Sequence, residues 1–291
     1  MKQFRSEFIP IRGLRYHIRH WGTAGAPKLF MVHGWMDVSA SFQFVVDCLQ
    51  REWHVIAPDW RGFGLTASSN ADAYWFPDYV GDLDAILQHY SPDSAINLLG
   101  HSMGGNVVCI YSGVRPHRVQ NLINLEGFGM PPSRPEKAPL QYAKWLDDIG
   151  RQPALTTYAT QADVAARLKK NNPRLSDAGA AFLAAHWSRQ NKDGLWEILG
   201  DPVHKNSSPL LYRVEEVMAC WSAITAPVLW VEADDTDMWK WMASKEAARM
   251  EIDRRLGFIP NVRVETIADA GHMLHHDQPQ ALAQLIEQFL S

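Results

Sequence analysis

Short apolar runs rich in β-branched residues alternate along the chain with longer stretches whose apolar positions recur at helical spacing. That alternation predicts strands separated by helices, the pattern of an α/β protein with a mostly parallel sheet and helices on both faces. Eight strands are expected: Glu7 to Ile11, Leu14 to His20, Leu29 to His33, His54 to Pro58, Ile96 to Gly100, Leu122 to Glu126, Val228 to Glu232 and Arg263 to Ile267. Beyond Gly104, Val107, Ile110, Tyr111 and Val114 share one helix face and Pro116 supplies the stop. The fifth strand therefore runs straight into a helix through Gly100 to Gly105, and a final helix is expected over Pro279 to Leu290.

From Gly129 to about Ser222 the strand pattern vanishes. This stretch opens on Pro131, Pro132 and Pro135 and continues with helical patterns containing Trp145, Trp187, Trp196 and Trp221. Strand-like runs resume at Ala226. The expected organisation is a core of residues 1–128 and 223–291 with a helical cap, residues 129–222, inserted in it.

Composition narrows the class. Of 291 residues 46% are hydrophobic and 21% charged, enough to bury a sizeable core and outside the range of disordered chains. Lys plus Arg is 28 and Asp plus Glu is 32, a formal charge of −4 with no basic run to neutralise successive phosphates, so nucleic acid is not the expected partner. The longest apolar runs, Lys28 to Val32 and Ala226 to Val231, fall far short of the ~20 residues that span a bilayer. Met1 to Pro10 lacks the continuous apolar stretch of a secretory signal, and the expected location is the cytoplasm. Cys48, Cys109 and Cys220 form no zinc-ligand spacing and are expected to be buried free thiols.

Candidate chemistry centres on Gly100-His101-Ser102-Met103-Gly104, a Gly-x-Ser-x-Gly at the strand-to-helix junction. A sharp turn there needs small neighbours and lifts the serine hydroxyl clear of the sheet beside a helix N-terminus. A serine is a poor nucleophile until a positioned base removes its proton. Among twelve histidines, His272 in Asp269-Ala270-Gly271-His272 follows the last strand and would reach the same sheet edge as Ser102. His275 and His276 suit a helix-start or surface role better, and His101 would point the other way at the turn.

These residues resemble the α/β-hydrolase superfamily. Three further segments look like that family: His33-Gly34-Trp35 after the third strand, Asp59-Trp60-Arg61-Gly62-Phe63-Gly64 after the fourth, and Gly271-His272. The resemblance implies an α/β-hydrolase fold and an oxyanion hole formed by the backbone amides of Trp35 and Met103. Asp59 and Arg61 are read as stabilising the glycine-rich turn. A third member, a carboxylate, must orient the imidazole, and the family places it after either the sixth or the seventh strand. Both places are filled. Glu126 ends a buried strand 24 residues past Ser102, whereas Asp237 in Asp234-Asp235-Thr236-Asp237 matches the commoner ending, with Asp235 a third candidate.

The expected activity is hydrolysis of a carboxylic ester with a small to medium, mainly apolar group, through an acyl-enzyme on Ser102 and without metal or organic cofactor. A serine in the nucleophile position departs from the haloalkane dehalogenase and epoxide hydrolase branches, which use an aspartate there. A thioesterase, a C–C bond hydrolase, an acyltransferase and a non-catalytic ligand-binding member share the same motifs and stay open. So do the placement of Arg134, Arg151, Arg167 and Arg189, the role of the run Asp237 to Met242, and the choice between monomer and homodimer. The expected partner is a small-molecule ester or related acyl substrate. Trp35, Phe128 and the cap tryptophans either line an apolar pocket or pack cap onto core.

Overall fold

All eight expected strands form, and they form one sheet. The computed structural model describes residues 1–151, 153–241 and 244–291. In chain order the strands are β1 (Phe4–Ile11), β2 (Leu14–Trp21), β3 (Lys28–Val32), β4 (His54–Pro58), β5 (Ile96–His101), β6 (Val119–Leu125), three short strands β7 (Thr157–Tyr158), β8 (Ser188–Gln190) and β9 (Trp196–Ile198), then β10 (Val228–Ala233) and β11 (Val262–Ile267). The helices are α1 (Gln43–Cys48), α2 (Phe76–Tyr90), α3 (Met103–Val114), α4 (Ala138–Ile149), α5 (Gln161–Asn171), α6 (Asp177–Trp187), α7 (Val214–Ser222), α8 (Lys245–Leu256), α9 (Leu274–Asp277) and α10 (Pro279–Phe289).

The large sheet runs β1-β2-β4-β3-β5-β6-β10-β11; β2 is antiparallel to both neighbours and everything from β4 onward is parallel. Parallel strands need cover on both faces, which is why β4 and β10 are buried along their whole length and read as continuous apolar runs. On one face, Leu83 and Ile86 of α2, Val107 and Tyr111 of α3, and Met218 and Trp221 of α7 join one cluster with alternate strand residues. On the other, Val45 and Val46 of α1 and Leu282, Ala283 and Ile286 of α10 close a second cluster. From β3 the chain moves to β4 on one side and later to β5 on the other. The carboxyl ends of β3 and β5 therefore flank a topological switch point, where open α/β sheets place their ligand sites.

The segment between β6 and β10 is not purely helical. It holds α4 to α7, but β7, β9 and β8 also pair into a small antiparallel sheet. Strands of two or three residues are too short to show a period of two, so the sequence pattern did not expose them. α7 packs as part of the main core. Trp221 is fully buried against Trp230, with ring centroids 5.4 Å apart, so this cap tryptophan is core and not pocket. Phe128 likewise packs on Trp230, and Trp187 sits in a cluster with Val38, Val164 and Ile198 where the insertion rests on the loop after β3. The cysteines are all free, but only Cys109 is buried; Cys48 and Cys220 are half-buried, which corrects the expectation for those two.

The glycine-rich turn after β4 is held by buried charge. Asp59 accepts from Ser39 N–H at 2.7 Å, Leu65 N–H at 2.9 Å and the His17 imidazole at 2.7 Å, tying three segments together. These donors, with His33 nearby, outweigh burial and hold its carboxyl far below the usual carboxylate range. Arg61 donates Nε and Nη2 to the two oxygens of Asp82 at 2.5 and 2.6 Å.

Three histidines, His20 buried and His186 and His204 half-buried, make stability pH-dependent. Burial, helped at His20 by Arg5 and at His186 by Arg19, holds His20, His186 and His204 at about 4 against an ordinary value near 6.5. Between those values the unfolded chain binds more protons than the folded one, so their contribution is complete above pH 6.5 and is lost as pH falls toward 4. Urea midpoints measured from pH 8 to pH 4 should be flat at first and fall below 6.5; a midpoint unchanged down to pH 4 would contradict the burial of these rings.

Candidate active site

The segment joining β5 to α3 folds as a tight turn because its neighbours leave no room for side chains. A Cβ on Gly100 would lie 2.4 Å from the carbonyl oxygen of Gly104, and one on Gly104 would lie 2.3 Å from that of Val32. Between them Ser102 adopts φ 51° and ψ −115°, a left-handed conformation that costs of order 1–3 kcal/mol in a non-glycine residue. The turn is held by Ser102 N–H donating to Leu125 O at 2.8 Å and by the first helical bond, Asn106 N–H to Ser102 O at 3.1 Å. Ser102 is half-buried at the N-terminus of α3.

His272 stands between β11 and α9. Its Nε2 lies 2.9 Å from Ser102 Oγ, and its Nδ1 lies 3.2 Å from Glu126 Oε2. An ionised carboxylate only accepts, so Nδ1 carries the hydrogen and Nε2 offers a lone pair to the serine hydroxyl. Glu126, fully buried at the end of β6, has φ 56°; its amide donates to Val231 O while its side chain turns toward the end of β10. There Oε1 accepts from Ala233 N–H at 2.8 Å and Oε2 accepts from the Thr236 hydroxyl, so the buried carboxylate has three donors. Among the described residues, four of the six non-glycine positions with positive φ, Met36, Ser102, Glu126 and Asp269, lie around this group.

The other candidate acids stand elsewhere. Asp237 is exposed and pairs with Lys240 at 3.2 Å, and Asp235 is exposed and pairs with Arg174 at 2.8 Å. In the run from Asp237 to Met242, Met242 lies outside the described residues. The sequence left Glu126 and the Asp234–Asp237 loop as rivals; in the structure this loop instead supplies Thr236 and the Ala233 amide as donors to Glu126. In the sequence Thr236 is one hydroxyl among the loop's acids, and its residue type carries no sign of the contact with Glu126.

The loop after β3 packs directly against the turn. A Cβ on Gly34 would sit 3.1 Å from both Ser102 Cβ and His101 Nδ1, so only glycine fits without displacing them. His33 fixes this loop from behind: its Nε2 accepts Trp60 N–H, and its carbonyl accepts the Trp60 indole N–H, both at 2.9 Å. Among the described residues no protein acceptor takes the N–H of Trp35 or of Met103. Trp35 itself is exposed, whereas Met103 is half-buried.

The remaining histidines correct one expectation. His275 lies in the short helix α9, as a helix-start residue would, but it is completely buried and therefore not a surface residue. His276, half-buried, hydrogen-bonds Ser41. His101, also buried, turns from the serine hydroxyl and places Nε2 2.8 Å from the His272 carbonyl oxygen. The His272 loop is further gripped from the inserted segment, where Asn172 donates to Asp277 at 2.7 Å and Arg174 bridges Asp235 and Asp269.

Comparison with known proteins agrees with this architecture. The family model described as alpha/beta hydrolase fold matches residues 27–279, and the chain belongs to that family. It is 26% identical to a serine hydrolase-like protein of Danio rerio, with 100% of this chain and 90% of that protein covered. It is 25% identical to a putative 2-succinyl-6-hydroxy-2,4-cyclohexadiene-1-carboxylate synthase of Bacillus subtilis (strain 168), with 96% of each covered. Among solved structures, a thioesterase domain from the curacin biosynthetic pathway superposes with a TM-score of 0.85 at 23% identity, covering 98% of this chain and 99% of its own; at that identity the likeness concerns the fold. The protein is a hydrolase of the alpha/beta family, and no described helix is long and apolar enough to cross a membrane.

Proposed function

We propose that this hydrolase is a serine esterase in which Ser102 is the nucleophile, His272 the general base, Glu126 the orienting acid, and the Trp35 and Met103 amides the oxyanion donors. The observation that carries the reading is the continuous chain Ser102 Oγ, His272 Nε2, His272 Nδ1, Glu126 Oε2, with separations of 2.9 and 3.2 Å at its two hydrogen bonds. In this mechanism Ser102 Oγ attacks the carbonyl carbon while its proton passes to His272 Nε2. The carbonyl oxygen becomes an oxyanion facing two amides that have no described protein acceptor. Collapse breaks the ester C–O bond, and His272 returns the proton to the leaving alcohol. Water then attacks the acyl-enzyme with His272 again as base, releasing the acid and restoring Ser102. Glu126 keeps Nδ1 protonated and stabilises the imidazolium without taking its proton.

In this reading the substrate is a carboxylic ester with a small to medium, mainly apolar group, and the inserted segment, residues 129–222, serves as a lid. Support for a lid comes from its contacts with the loops at the carboxyl edge of the sheet, where Asn172 holds Asp277 and Arg174 bridges Asp269 and Asp235. Because Val214, Met218 and Trp221 are part of the main core, a lid deletion that preserves the fold has to spare α7.

A p-nitrophenyl ester series from acetate to palmitate tests the reading. Wild type should show a maximum at one short or medium chain length, and Ser102→Ala should lose at least roughly a thousandfold in kcat at that length. Equal activity of the two proteins would remove Ser102 from the reaction, and inactivity of the wild type toward every ester would sink the ester assignment in favour of thioester or diketone substrates.

A further inference from the structure

We propose that Asp37, His101 and His275 form a binding site for one divalent transition-metal ion of the zinc or cobalt(II) type, adjacent to His272. Each residue offers one ligand atom, and these atoms lie within 4.8 Å of one another. His101 and His275 are 2% and 0% exposed, and Asp37 is buried as well. The tautomer of His101 is fixed by its neighbour: the His272 carbonyl oxygen, 2.8 Å from Nε2, only accepts, so Nε2 carries the hydrogen. Its Nδ1 is therefore a bare lone pair, and this buried atom has no hydrogen-bond partner among the described residues. Asp37 Oδ2 is also buried without a hydrogen-bond partner. On His275 the partnerless atom is Nδ1, whereas Nε2, the atom facing Asp37, lies 3.2 Å from Ser41 Oγ and would exchange that contact for the ion.

Protonation does not remove these acceptors. Burial, with His275 and His272 close by, holds His101 neutral, well below its ordinary value. Burial works against ionisation of Asp37, but the facing His275 ring and the nearby His276 and His33 outweigh it and lower its carboxyl. Two imidazoles and one carboxylate suit a borderline cation such as zinc. Metal–nitrogen bonds of ~2.1 Å put tetrahedral ligands roughly 3.4 Å apart. The 3.9 Å between His275 Nε2 and Asp37 Oδ2 is thus within a small side-chain adjustment of binding distance. A trapped water is the competing occupant, since buried polar groups are commonly satisfied that way.

The ligands come from three separate segments: the loop after β3, the end of β5 and the short helix α9. Asp37 lies two residues past Trp35, His101 immediately before Ser102, and His275 three residues past His272. Closing a coordination shell around an ion would draw these segments together and, through His101 on the His272 carbonyl, shift His272 relative to Ser102. Displacements near 1 Å cost catalysis on the order of a hundredfold, so occupancy inhibits.

The test is calorimetric titration of chelator-treated full-length protein with zinc chloride alone. The expected result is one ion per chain, with affinity reduced at least tenfold in both Asp37→Asn and His275→Gln and unchanged in Ser102→Ala. Cobalt(II) added to wild type should give visible d–d absorption that zinc abolishes, a readout that requires no variant. Absence of stoichiometric binding and of that absorption would assign the space to water and overturn the site. Binding of equal strength in wild type and both variants would place the ion on other side chains, with the same consequence. Where esterase activity is present, zinc should depress it at the concentration that fills the site and a chelator should restore it; a filled site with undiminished turnover would refute the inhibitory role. The binding arms do not use turnover, so failure of the esterase reading and failure of this one are separable.

Discussion

Glu126→Gln protein should hydrolyse its best ester at least a hundredfold more slowly than wild type, while Asp237→Asn should stay within about threefold. The carboxylate of Glu126 can only accept from His272 Nδ1, and that polarity leaves the Nε2 lone pair facing Ser102. An amide in its place can donate to Nδ1, which puts the ring hydrogen on Nε2 and removes the base. A tautomer fault of this kind in a Ser-His-Asp triad is worth up to ~10⁴ in kcat. Asp237, exposed and paired with Lys240, makes no described contact with His272. The measurement is kcat and KM for both variants, with circular dichroism and melting curves to show that each is folded. A large loss in Asp237→Asn with near-normal Glu126→Gln would transfer the orienting role to the loop after β10.

Asp82→Ala should lower unfolding stability by about 3 kcal/mol or more, the second large effect. Asp82 is fully buried; both its oxygens hold Arg61, and it also accepts from the Tyr16 hydroxyl and from Arg12. Removing one partner of a buried pair leaves the other charge uncompensated, at a cost of about 3–5 kcal/mol. Arg61 retains Asp78 at 3.1 Å, which favours the lower part of that range. Asp78 is partly exposed, and Asp78→Ala should cost below about 1 kcal/mol. Urea unfolding of both variants checks the contrast; equal losses would show that the charge of Arg61 is compensated mainly by solvent.

Much of the scaffold was legible in the sequence, because parallel strands covered on both faces need continuous apolar runs, as in His54–Pro58 and Val228–Ala233. The meeting of Ser102 with His272 was legible for a related reason. Strand ends in such a sheet share one edge, so a motif at the end of β5 and a histidine past β11 arrive together. Two features were hidden by physics that leaves no periodic trace. The carboxylate was ambiguous because the ends of β6 and β10 are neighbours at that edge. What separates them is the φ of 56° at Glu126 and the donors Ala233 and Thr236, and none of this is written in residue type. His275 reads as polar in the sequence, but the four-residue helix α9 turns it inward against His101, with ring centroids 4.3 Å apart.

An activated Ser102 is the centre of the proposed chemistry, and covalent titration with a serine-directed phosphonate probes it most directly. Wild type should take up one phosphonyl group per chain, with the mass shift located by peptide mapping on Ser102. His272→Ala should label at least roughly a hundredfold more slowly, since the base that activates the hydroxyl is gone. Wild-type protein that remains unlabelled, or labels on a residue other than Ser102, would contradict the account at its centre.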